Sequence, residues 1–123
     1  MPSPLVHFQI ASTDPEAAAA FFQEVFDWRV GPGGGGAIHS TIDTGARSVE
    51  PNDIYPAGAF LKVAPGGQNF ASLFFRVEDI DATIAKASSL GAKVVVPRTL
   101  APGGQDVAIF ISPQGHSIGL VQL

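Results

Sequence analysis

The chain has 123 residues, which fits one domain on a prior of roughly 100–200 residues per domain, and carries a net charge of −4 with no cysteine. Seven Lys and Arg residues are scattered without a basic stripe, so a row of nucleic-acid phosphates has no partner here; disulfides and thiolate chemistry are excluded as well. Charged residues make up only 15% of the chain, against about 25% in ordinary globular domains, which points to surface buried in a homodimer. The first residues lack a signal-peptide pattern and no apolar run approaches a membrane span, so the expected location is the cytoplasm and no membrane partner is expected.

Residues 5–10 alternate as a strand, with Leu5, His7 and Gln9 on one face and Val6, Phe8 and Ile10 on the other. Asp14 followed by Pro15 is a helix start, because a carboxylate accepts from first-turn amides and proline suits the first helical position. Ala18, Phe21, Phe22, Val25 and Phe26 form the expected buried stripe, and the helix ends at Asp27-Trp28. Residues 31–36 read as a flexible glycine turn. Residues 37–42 then read as a strand rather than a helix, which argues against a phosphate cradle. Residues 43–45 are a turn, 48–56 a surface loop, 58–63 a strand and 64–67 a hinge.

The second half repeats the first. A shift of 65 places Asp14 on Asp79, Val30 on Val95 and His7 on Ser72. Residues 71–77 form a strand with Ser72, Phe74 and Arg76 on one face, and Asp79 caps a helix whose expected stripe is Ile80, Ile84, Ala87 and Leu90. Gly91 stops that helix, and strands at 93–97, 106–111 and 117–122 come next, separated by turns at 101–104 and 113–116. The expected fold class is α+β: two tandem βαβββ modules, about 4–64 and 70–123, in a single domain.

These residues resemble the vicinal oxygen chelate superfamily of glyoxalases, bleomycin resistance proteins and extradiol dioxygenases. The likeness rests on His7-Phe-Gln-Ile, Asp14-Pro, Phe21-Phe, Val25-Phe-Asp-Trp28, Val77-Glu-Asp-Ile-Asp81, Leu90-Gly-Ala-Lys and Ser112-Pro-Gln-Gly-His-Ser-Ile-Gly-Leu120. It is strongest to the group related to lactoylglutathione lyase. The resemblance implies a glyoxalase-like open barrel around a cleft, a pairing of two chains, and two metal ligands per module, on the first and last strands. Those four positions fall on His7, near Phe60, on Ser72 and on Gly119. Three of them carry no metal donor of the family's kind, and one imidazole cannot hold a divalent ion where about three protein ligands are needed. The expected cofactor is therefore none, with a divalent metal held through His7 as the alternative.

The candidate ligand-binding residues are His7, Gln9, His39, Phe60, Ser72, Phe74, Arg76 and Gly119. His7 reads as a ligand-contacting or structural histidine, or as a general base near neutral pH. His39 shares a strand face with Thr41, and His116 lies in a solvated turn. Arg76 suits a ligand carboxylate or phosphate, or an ordinary salt bridge. Phe60, Phe74 and Trp28 give the cleft apolar walls or pack the core. Glu50 and Asp53 could complete a metal site from their loop or simply be solvated. The resemblance supports two functions: a metal-free protein binding a small, partly apolar molecule, or a metal-dependent lyase, isomerase or dioxygenase. A pairing domain with a filled cleft and no ligand is the third.

Overall fold

The computed structural model describes residues 2–35, 38–45, 57–100 and 104–122. The chain divides into two compact units, His7–Ala71 and Ser72–Leu123, the latter joined by Met1–Val6. Each contains one βαβββ repeat. The first module has β1 (Leu5–Ser12), α1 (Pro15–Phe26), β2 (Arg29–Gly35), β3 (Ile38–Asp43) and β4 (Ala57–Lys62), with sheet order β2-β3-β4-β1. The second has β5 (Phe70–Arg76), α2 (Ile80–Ser89), β6 (Lys93–Leu100), β7 (Asp106–Ile111) and β8 (Ser117–Gln122), in the order β5-β8-β7-β6. In both, the first and last strands pair in parallel and the others antiparallel. That is the connection a crossover helix permits.

Both helices start as their sequences dictate. The Asp14 carboxylate accepts from the Ala17 amide at 3.1 Å, and the Asp79 carboxylate accepts from Ala82 at the same distance. The Ile80 amide donates to the Gln122 side chain at 2.7 Å, so the last strand also caps α2. At the other end of α1, Asp27 adopts a left-handed conformation (φ 58°) and its amide donates to the Gln23 carbonyl at 2.9 Å.

The first core gathers Ala19, Ile42 and Phe60 with Phe8, Ile10, Ala18, Phe22, Trp28 and Val30. Phe22 stacks on Trp28 with ring centres 5.4 Å apart and meets Phe60 at 6.0 Å. The second gathers Ile80, Ala108 and Leu120 with Val77, Ile84 and Phe110. The buried stripe of α1 is thus Pro15, Ala18, Ala19 and Phe22, while the expected Phe21, Val25 and Phe26 are all more than half exposed. Ala18 and Ala19 let the helix lie close on the sheet; Phe21 and Val25 fall outside that contact, and Phe26, at the helix end, stacks on Phe22 and Trp28 with its outer side exposed. Leu90 also departs from expectation, standing exposed beyond the end of α2.

Two strands run further than expected. The glycine-rich segment is part of β2, paired with β3 through Pro32↔Ser40 and Gly35↔Ile38, so cross-strand pairing overrides its turn composition. Strand β6 continues through Pro97 to Leu100, which its edge position allows because a proline there interrupts no inner ladder.

Candidate functional site

The face of each sheet turned away from its helix carries six of the candidate residues, His7, Gln9, Ser72, Phe74, Arg76 and Gly119. In the first module the parallel register pairs Phe8 with Gly58 and Ile10 with Phe60. Phe8, Ile10 and Phe60 pack with α1, so alternation turns His7, Gln9 and Ala11 to the opposite face, with Ala57, Ala59 and Leu61 across from them. Phe60 is fully buried in the core, which corrects its expected place on the ligand face; Ala59 stands there instead. Trp28 likewise belongs to the core. The reason is register: whichever side of β4 packs under α1 is set by its pairing with β1.

His7 is half-buried. Burial lowers its pKa below the usual histidine value, and a hydrogen bond with the Ala57 backbone partly offsets that shift. Near neutral pH the imidazole is therefore uncharged. His39 occupies a bulge, since Ile38 pairs with Leu61 and Ser40 with Phe60, leaving His39 the extra residue. It is exposed, with Nδ1 3.2 Å from the Ser40 hydroxyl. His116 is exposed in its turn, Nδ1 3.3 Å from the Ser112 hydroxyl.

In the second module Phe75 pairs with Leu120, and Leu120 belongs to the core beneath α2. Ser72, Phe74 and Arg76 therefore share the other face of β5, beside Ser117, Gly119 and Val121 of β8. The Ser72 and Ser117 hydroxyl oxygens lie 2.6 Å apart. Ser72, Phe74 and Gly119 are buried, Ser117 is half-buried and Arg76 is exposed. Phe74 lies on Gly119 so closely that a Cβ at 119 would overlap its ring. Arg76 also borders a shallow groove of about 680 Å³ with Pro2, Pro4, Glu78, Asp79 and Thr83, where its amide donates to the Pro4 carbonyl at 2.9 Å.

These residues do not fit the family's metal. Of the four ligand positions, the first module offers the imidazole of His7 and the methyl group of Ala59. The second offers a neutral hydroxyl at Ser72, hydrogen-bonded to Ser117, and no side chain at Gly119. Among the described residues no group of three or more His, Asp and Glu side chains is placed to hold a metal ion. Glu50 and Asp53 lie outside the described residues. Ser117 was missed from sequence; its signal was its position two residues before Gly119 on the closing strand, hence on the same face.

The Glyoxalase/Bleomycin resistance protein/Dioxygenase superfamily model matches residues 5–120. CFP32 of Mycobacterium bovis, a protein carrying the name glyoxylase, is 28% identical over 115 residues, or 90% of this chain. The chain spans only 41% of that relative's length. A glyoxylase-like domain-containing protein of Didymella fabae is 32% identical over 87 residues, covering 69% of this chain and 66% of the relative. Among solved structures, a methylmalonyl-CoA epimerase variant from Streptomyces coelicolor, in complex with 2-nitronate-propionyl-CoA, superposes with a TM-score of 0.68. It is 16% identical, and the match covers 99% of this chain and 98% of that one. The hypothetical protein BH1468 from Bacillus halodurans gives 0.70 at 14% identity, covering 100% and 96% of the two chains. At these identities the likeness is one of fold.

Proposed function

The chain belongs to the Glyoxalase/Bleomycin resistance protein/Dioxygenase superfamily, and from that premise we propose that it binds a small, partly apolar molecule without the family's metal. The observation that carries this reading is the Phe74 ring lying on Gly119. The family's closing ligand is a side chain at that position; here there is none, and the ring fills the space a carboxylate would need. The residues offered to a ligand lie on the sheet face of each module taken by itself, His7 and Gln9 in the first and Ser72, Phe74, Arg76 and Gly119 in the second, and the chain acts as a homodimer. Phe60 and the exposed His39 leave this set.

Metal analysis of purified protein tests the reading. A stoichiometric divalent ion that disappears in His7→Ala would overturn it, and no bound ion would support it. A thermal-shift panel of small carbonyl and aromatic compounds, the CoA thioester bound by the epimerase neighbours among them, then searches for the ligand class. The uncharged imidazole of His7 favours one second reading, a lyase, isomerase or dioxygenase in which His7 is a general base or a metal ligand. Under that reading Ni²⁺, Zn²⁺, Mn²⁺ or Fe²⁺ raises the melting temperature.

A further inference from the structure

From the Ser72–Ser117 pair we infer that the bound molecule presents a carbonyl or carboxylate oxygen to the Ser117 hydroxyl, an inference that rests on the function proposed above. The two hydroxyl oxygens stand 2.6 Å apart and together carry two protons. One proton lies between them. For the second, no other protein acceptor is found among the described residues, so one O–H donor remains unspent.

Burial decides which serine keeps it. Ser72 is 1% exposed, whereas Ser117 is half-buried, with part of its surface reachable from outside. Ser72 therefore donates inward along the pair to Ser117, and Ser117 points its own proton outward. Accepting a hydrogen bond makes a hydroxyl a better donor, since hydrogen bonds in a chain polarise one another. Ser72 is thus a positioning residue and Ser117 the one that meets the ligand. The pair sits where the family's first-strand ligand of the second module falls, so a hydrogen-bond donor replaces a metal as the group that grips a substrate oxygen. A neutral donor of this kind donates to a ketone, ester or carboxylate oxygen. It gives no grip to a molecule that has only apolar surface.

The test uses three probes of similar size: acetophenone, benzoate and ethylbenzene. Each is titrated into the full chain while the backbone amides of β5 and β8 are followed by two-dimensional NMR. The expected result is that acetophenone or benzoate binds about 5–10-fold more tightly than ethylbenzene, the margin one net hydrogen bond supplies. Ser117→Ala should abolish that preference while leaving ethylbenzene unchanged, Ser117→Thr should restore it, and Ser72→Ala should reduce it. If all three probes bind alike, or the preference survives in Ser117→Ala, the inference is overturned while the small-molecule reading stands. If no probe shifts the amides of β5 or β8 in the folded protein, both fail.

Discussion

Placing a single methyl group at position 119 tests the packing on which the functional reading depends. The backbone of Gly119 is not in the left-handed region, so alanine is allowed there. On conformational grounds alone, glycine to alanine in a strand should stabilise by about 0.5–1 kcal/mol. The steric effect has the opposite sign, because the new Cβ overlaps a ring that is only 3% exposed. A buried ring has no open side to move into, and overpacking of this kind costs roughly 1–3 kcal/mol. We therefore expect Gly119→Ala to lose about 2 kcal/mol, a fall in Tm of about 6–10 °C for a domain this size. Circular dichroism during heating and in urea measures both. The double variant with Phe74→Ala isolates the cause, for it removes the ring atoms that lie nearest to the new methyl group. The second substitution should then be neutral or favourable, giving a coupling of at least about 2 kcal/mol. Additive losses, or a single variant that melts within about 2 °C of the parent, would refute the reasoning and remove the steric argument against a ligand at that position.

Three further outcomes are expected from the structure. Gln122→Leu strips the acceptor from the Ile80 amide, whose residue is fully buried, and should cost about 1–3 kcal/mol by chemical denaturation. Asp27→Gly removes a side chain from a left-handed helix end and should raise stability by about 0.5–1 kcal/mol, read as a higher urea midpoint. His7 titrates below its unfolded value, so the unfolded chain takes up the proton first. Its contribution to stability is intact above the ordinary histidine pKa of about 6.5 and is lost as pH falls through the lowered folded value. Melting temperatures recorded down to pH 5 should fall less steeply in His7→Gln than in the parent.

Much of this architecture is legible because it is written in local chemistry. Asp14 and Asp79 mark both helix starts, and the alternation of 72, 74 and 76 places those side chains on one face of β5. The face of Phe60 was not legible, since Ala59, Phe60 and Leu61 form an unbroken apolar run with no alternation to read. Only the pairing of Ile10 with Phe60 settles it, and pairing is a property of two strands. The outward turn of Phe21 and Val25 was hidden for a related reason. Helical spacing admits a wide stripe, and the depth of packing against the sheet, set by Ala18 and Ala19, decides which edge is buried. Ser117 escaped notice because its importance lies in its distance from Ser72, 45 positions earlier in the chain.

The modules use the same device on opposite faces. Phe8 rests on Gly58 on the helix side of the first sheet, and Phe74 rests on Gly119 on the other side of the second. The second arrangement makes a removable stopper. Phe74→Ala would leave a ring-sized void floored by bare backbone, with no side chain at 119 to collapse into it. Small aromatic guests such as benzene or indole should re-enter that void and restore part of the lost stability. The chain would then serve as a scaffold for chemical rescue, in which a soluble guest returns part of the stability that the truncation removes.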